Sequence, residues 1–317
     1  MSRRVLSKTG AVHIQLLREG IVESIHQAHA AVCDDRGRLL MSAGHPEESS
    51  FIRSSLKPFQ ALAVVGSGAM ERYELGDRDL ALMCGSHAGS IEQARQAFNI
   101  LWKADLEPTV LQCPIPPGGR SALEYNCSGK HAGMLAMCQQ FNWNTRDYMN
   151  IKHPVQQLVL KKVGECLGMP AAELMTARDD CGVPTCYLPL QQMAFLYAKL
   201  ASGDSLEMER VVRAMTHHPE LVAGEGLFDT ELMRLSEGRL VSKSGAEGVQ
   251  CISRLGERQG MAIKVKDGAR RAKYAAAIHL LRQMSWMSPA IAEDLSDQFL
   301  NLSSSKRLEV SGELTLV

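Results

Sequence analysis

Apolar and polar residues alternate along the first forty positions, as in Ile21, Val22, Glu23, Ser24, Ile25 and His26, which is the two-residue period of a half-buried strand. The run reaches Asp34-Asp35-Arg36-Gly37, a turn signal, and resumes at Arg38-Leu39-Leu40, so the pattern predicts a hairpin. Near the other end Leu240-Val241 and 261–265 read as strands, with a turn at 256–260 between them, and 307–316 as a last strand. In the middle the period becomes helical, over 58–65, 90–102, 131–141, 154–167, 188–201 and 205–217. Ser90-Ile91-Glu92-Gln93 is a capping-box pattern, and Pro154 suits a first helical position. A final helix over 269–284 follows the glycine turn at Gly268. The sum is an α+β fold in one domain spanning 1–317. N- and C-terminal strands, about 1–50 and 235–317, form an antiparallel sheet, and a helical block over about 54–234 is inserted between them. No repeat or low-complexity linker divides the chain.

Composition narrows the function more than the fold. Lysine plus arginine and aspartate plus glutamate are both 35, so no global field favours nucleic acid, an acidic membrane or a polyanion, and the expected partner is a small molecule. Residues 1–7 carry two arginines with no apolar run behind them, and 10–19 is broken by His13, Gln15 and Arg18, so neither a signal peptide nor a spanning helix is expected. Nine cysteines form an odd, scattered set without the spacing of a disulfide framework, which fits a reducing, cytoplasmic setting.

Three constellations carry possible chemistry. In Arg53-Ser54-Ser55-Leu56-Lys57-Pro58, Ser54 and Lys57 lie three apart, on one side of a helical turn, so the lysine can reach the hydroxyl. Ser54 would equally serve as a plain N-cap with Pro58 in the first turn. A lysine is a general base only when neutral, and from a reference pKa of about 10.4 few molecules are neutral at pH 7. Depressing that pKa by about three costs about 4 kcal/mol, obtainable from burial and neighbouring cations, for which Arg53 and a second lysine are candidates.

That second lysine is Lys243, in Ser242-Lys243-Ser244-Gly245, which is similar to the K-[ST]-G element of the penicillin-recognising serine enzymes. Their S-D-N element is absent. In its place Cys84-Gly85-Ser86-His87-Ala88-Gly89 presents Ser86 in a glycine-rich turn, which argues against a β-lactamase proper. The third constellation is Asn126-Cys127-Ser128-Gly129-Lys130-His131, a polar loop entering a helix. Cys127 there, and Cys181 in Arg178-Asp179-Asp180-Cys181, could serve as metal ligands or nucleophiles. Neither CxxC nor HExxH occurs, and His217-His218-Pro219 reads as a helix end.

On these residues the chain resembles the rhizobial-type, or class 3, L-asparaginases, the asparaginase II family. The resemblance runs through Gly20 to Ser24, His29 to Val32, Arg53-Ser54, Lys57-Pro58, 81–84, Ser86-His87 and 126–131. It continues at Asp179, Cys181, Pro184-Thr185, 197–202, 218–220, 222–226, Lys243, Gly245-Ala246 and Asp267-Gly268. It implies a serine β-lactamase-like and glutaminase-like fold, a homodimer, and hydrolysis of the side-chain amide of L-asparagine by two serine-lysine tandems, Ser54 with Lys57 and Ser86 with Lys243. Ser54 is the implied nucleophile. Zinc would be held by Cys127, Lys130 and Cys181 and would support substrate binding more than the chemistry, with Arg53, His87, His131 and Asp179 near the pocket. Two departures, Asp229 where the family has a cysteine and Asp180 where it has a glycine, add carboxylates near that metal. Rival readings are a glutaminase or other acyl hydrolase on the same scaffold, a Cys127 nucleophile with His131 as its base, and a non-catalytic zinc-holding amino-acid-binding protein.

Overall fold

The computed structural model describes residues 10–317. The segment 1–7, expected to carry no leader, lies outside them. The chain divides into two compact units, one of residues up to Ser50 with Leu188–Ser202 and Ser244–Val317, the other of Phe51–Tyr187 with Gly203–Lys243.

The first unit is an antiparallel sheet assembled from both ends of the chain, as the alternation predicted. Its strands run in the order Asn301–Ser303, Lys306–Ser311, Val12–Arg18, Ile21–Asp34, Gln259–Val265 and Val249–Arg254. The hairpin strand Leu39–Ala43 adds to Ile21–Asp34, with Ala30 opposite Ala43, and Thr315–Leu316 adds to Leu39–Ala43. The long strand Ile21–Asp34 is exposed in its first half and buried in its second, where Ala28, Ala30, Ala31 and Val32 have no exposed surface. Strand Val249–Arg254 was not foreseen because its first five residues are all buried, so it lacks the alternation that marks a one-sided strand. Helix Leu190–Ser202 belongs to this unit and packs on the sheet. Its close approach depends on Gly260, where an added Cβ would lie 2.2 Å from the Ala194 carbonyl oxygen and 2.3 Å from the Ala198 nitrogen.

The second unit is helical. Lys57–Gly66, Asp77–Cys84, Ile91–Lys103, Ser128–Gln140, Pro154–Leu167, Leu206–His217 and Phe228–Leu235 are its longer helices. Ser90 caps Ile91–Lys103 in the expected capping box, and Pro154 opens its helix as expected. Helix Ser128–Gln140 is buried continuously from Ser128 to Cys138, so it forms the centre of the unit and shows none of the one-sided pattern of a surface helix. Gly129 lets it approach helix Asp77–Cys84, since a Cβ there would stand 2.4 Å from the Leu82 carbonyl oxygen. Asp77–Cys84 was not expected. It has eight residues and its N-cap is Gly76, which offers no capping side chain; Asp79 accepts the Gly76 N–H at 2.9 Å instead.

One local expectation is corrected. Ser54 does not cap the first helix, because Arg53–Leu56 forms a 3₁₀ turn and the N-cap of Lys57–Gly66 is Leu56. All nine cysteines are free, buried thiols. Among the described residues no helix is long and apolar enough to cross a membrane.

Replacing Gly260 with alanine should force backbone apart rather than move a side chain, so it should cost about 3 kcal/mol or more. Denaturant unfolding of Gly260→Ala measures this directly. A loss below about 0.5 kcal/mol would show that the helix-on-sheet contact is looser than drawn.

Candidate active site

The site residues all lie in the helical unit. Lys57, the first residue of its helix, is completely buried and turns its amine inward. Its Nζ bonds to the Gly85 carbonyl oxygen, and lies 3.0 Å from both Ser86 Oγ and the Asn126 carbonyl oxygen. Both acceptor loops are set by the approach of the two helices joined at Gly129: Gly85 follows helix Asp77–Cys84, and Asn126 immediately precedes the N-cap Cys127 of Ser128–Gln140. Strand Leu240–Ser244 supplies Lys243, also fully buried, with Nζ 2.9 Å from the same Ser86 Oγ. Ser86 therefore lies between two buried amines. Burial first, and the nearby Lys130 charge second among the lowering effects, hold Lys57 below the ordinary lysine range, opposed by the thiols Cys127 and Cys181.

The expected Ser54–Lys57 hydrogen bond is absent. Among the described residues Lys57 Nζ has the oxygen partners just named, and Ser54 Oγ makes no hydrogen bond. The cause is the 3₁₀ turn at Arg53–Leu56, after which Lys57 points to the two backbone carbonyls rather than along its own turn. The neighbouring Ser55, not singled out in the sequence, is the buried hydroxyl that ties this turn to strand Leu240–Ser244, donating to the Lys243 carbonyl oxygen at 2.9 Å.

Arg53 holds the turn from the other side. Its φ of 54° places a non-glycine residue in the left-handed region, a strain of about 1–3 kcal/mol. Its Nε lies 2.7 Å from Asp179 Oδ1, its Nη2 bonds to Asp180, and its backbone N–H donates to Thr185 Oγ1 at 3.1 Å. Asp180 thus spends its carboxylate on Arg53, with its side chain 81% exposed.

Cys127, Lys130 and Cys181 do come together. Lys130 Nζ lies 3.0 Å from Cys181 Sγ, and Cys127 Sγ lies 3.2 Å from Asn126 Oδ1. The proximity of Cys181, then of Lys57 and Lys130, pushes Cys127 below the ordinary thiol range against the effect of burial, while Cys181 is raised. Burial alone would lower Lys130, but the sulfurs outweigh it and raise its pKa. The two soft thiols suit a zinc-type ion, and Lys130, held as an ammonium beside the sulfurs, would join them as a ligand on losing its proton. Asp229, expected beside them, instead accepts from Ser242 Oγ at 2.7 Å, and among the described residues no three His, Cys, Asp or Glu side chains form a metal-holding group.

His87 and His131 are both buried. Ser128 donates its hydroxyl to the Leu123 carbonyl at 2.8 Å, so it accepts from His87 Nε2 at 2.8 Å, while His87 Nδ1 accepts the Gly89 N–H. These bonds need the neutral ring. Burial, then Lys57, lower the His87 pKa to about 3. His131 Nδ1 meets the hydroxyl of Tyr148 at 2.6 Å, a partner 17 residues away that no local spacing could reveal. With that nitrogen occupied, and the His131 N–H bonded only to the Cys127 backbone oxygen, a Cys127–His131 nucleophile–base pair is not formed.

The sequence matches the family model of L-asparaginase II over residues 14–316. No curated protein sequence matches the chain. Among solved structures it is similar to a beta-lactamase from Mycobacterium bovis, at 15% identity and a TM-score of 0.44, with 86% of this chain and 95% of the other covered. It is also similar to the structure named Mglu, at 14% identity and a TM-score of 0.40, covering 82% and 67%. Likenesses this distant carry no functional inference.

The His87 bonds have a pH consequence. The folded pKa is about 3 against an ordinary 6.5, so the unfolded chain takes up the proton first, and stability falls as pH drops from about 6.5 towards 3. His87→Gln, which cannot titrate, should lose about 2 kcal/mol less than the parent between pH 6.5 and 4.5 in denaturant unfolding. An unchanged slope would contradict the buried neutral ring.

Proposed function

The chain belongs to the L-asparaginase II family, and from that premise we propose that it hydrolyses the side-chain amide of L-asparagine to L-aspartate and ammonia through a serine activated by lysine. One observation supports the chemistry: two buried amines, on Lys57 and Lys243, converge on one hydroxyl. A neutral Lys57 has two N–H donors and one lone pair. The Gly85 and Asn126 carbonyls occupy the donors, which leaves the lone pair for the Ser86 proton. Ser86 can then accept from a charged Lys243 while giving its own hydrogen to Lys57.

In this reading Ser54 is the nucleophile. Ser54 is partly buried, its hydroxyl is not tied to any protein group among the described residues, and the reading requires it to reach the Lys57–Ser86–Lys243 chain when substrate is bound. It attacks the amide carbon, passing its proton into that chain, and the proton is returned to the leaving nitrogen as the C–N bond breaks. Water then cleaves the acyl ester to release aspartate. A second reading makes Ser86 itself the nucleophile, favoured by the direct hydrogen bonds to both lysines that Ser54 lacks. Zinc is part of the proposal at Cys127, Lys130 and Cys181, where as a Lewis acid it would steady one end of the amino acid. Arg53 and Asp179 form the ion pair that fixes the turn carrying Ser54.

Ammonia release from asparagine, compared with glutamine, tests the activity and separates the glutaminase alternative. Ser54→Ala and Ser86→Ala should each lower kcat by about 10³-fold or more, comparable to losing a group that acts in the transition state. A diazoketone analogue of asparagine should label Ser54, located by peptide mass spectrometry; label on Ser86 would replace the first reading with the second, and a fully active double variant would remove both. Dialysis against a chelator should raise KM more than it lowers kcat if zinc holds the substrate, and an unchanged KM would remove the metal from the account.

A further inference from the structure

His131 lies in the first turns of the central helix Ser128–Gln140 with no exposed surface. Its Nδ1 is 2.6 Å from the hydroxyl of Tyr148, which is also fully buried, and the two rings meet edge to face, 5.5 Å between centroids at 88°. The backbone N–H of Gln112 donates to that same hydroxyl at 3.2 Å. The tyrosine therefore already accepts one hydrogen and must give its own away. Among the described residues the one acceptor its oxygen meets is His131 Nδ1. The tautomer follows: Nδ1 accepts, and Nε2 carries the ring hydrogen.

Nε2 is buried and has no hydrogen-bond partner among the described residues. A buried donor left without an acceptor is costly, and such a group in a native fold calls for an explanation, a catalytic or binding role among them. The ring is not free to turn and satisfy itself, because Tyr148 holds its other nitrogen, and Tyr148 is in turn held by the Gln112 N–H and by Gln156, whose Nε2 donates to the Tyr148 carbonyl at 2.8 Å.

We propose that Tyr148 is a positioning residue: its hydroxyl locks His131 as the Nε2–H tautomer, so that this N–H is a fixed donor to an oxygen of the bound amino-acid amide. The inference rests on the reading that the site takes such a substrate. Tyr148 itself does not touch the substrate. It removes the alternative tautomer, in which Nε2 would present a lone pair and repel a carbonyl or carboxylate oxygen.

The test has two arms. Long-range proton–nitrogen NMR of histidine-labelled protein reads the tautomer without any substrate; His131 should carry its hydrogen on Nε2, and Tyr148→Phe should convert it to a mixture. In ammonia-release kinetics Tyr148→Phe should raise KM for asparagine about tenfold, the loss of one well-placed hydrogen bond, with kcat within about threefold. His131→Gln keeps a donor at the ε position that needs no tyrosine, so adding Tyr148→Phe in that background should change KM less than about twofold. An Nδ1–H tautomer in the parent protein overturns the proposal, as does an equal KM effect of Tyr148→Phe in both backgrounds, which marks a merely structural role. If the parent releases no ammonia from asparagine, the functional reading fails by itself, and the NMR arm still decides the tautomer lock.

Discussion

The site is organised around an amine that has been taken out of water. Lys57 is fully buried, and it is compensated by two backbone carbonyls and one hydroxyl rather than by a carboxylate. Pairing with an acid would keep the lysine charged, whereas carbonyl partners satisfy its hydrogens without stabilising the charge to the same degree, so burial decides the outcome. Everything catalytic in the proposal follows from that choice of partners. The fold supplies them by bringing the end of helix Asp77–Cys84 against the start of Ser128–Gln140, an approach that only a residue without a Cβ at position 129 permits.

Around this amine the nearest charged groups are Lys130 and the thiols Cys127 and Cys181, which act on it in opposite directions. Arg53 is matched by Asp179 and Asp180, and Asp229 is bound to Ser242. Asp180 and Asp229 thus each have a partner other than the thiols. His87 and His131 are kept neutral first of all by burial, so each ring acts through fixed hydrogen bonds. The strained turn at Arg53 is the one place in the site where backbone geometry is stored against its preference, and it stands directly before Ser54.

Much of this was legible in the residues. Alternation at both ends foretold the antiparallel sheet, and helical periodicity with Ser90 and Pro154 as start signals placed most of the helical block. Helices without strong caps, such as Asp77–Cys84, and strands buried on both faces, such as Val249–Arg254, were not legible, because neither carries a one-sided pattern. At the site, the spacing of Ser54 and Lys57 gave the lysine a hydrogen-bond partner that the structure does not. Spacing assumes a continuous α-turn, and a 3₁₀ turn intervenes. Ser86 and Lys243, 157 residues apart, were joined through family resemblance, and the structure brings them within 2.9 Å. Tyr148 left no signal at all, since its contact with His131 exists only in the folded chain.

The charge state of Lys57 is the point on which the chemistry turns. Selective nitrogen labelling of lysine, with a pH titration of the Lys57 Nζ resonance identified by its loss in Lys57→Met, measures it directly. The account predicts that Lys57 loses its proton well below the exposed lysines of the chain. Titration of Lys57 together with the exposed lysines, in the ordinary range, would contradict it.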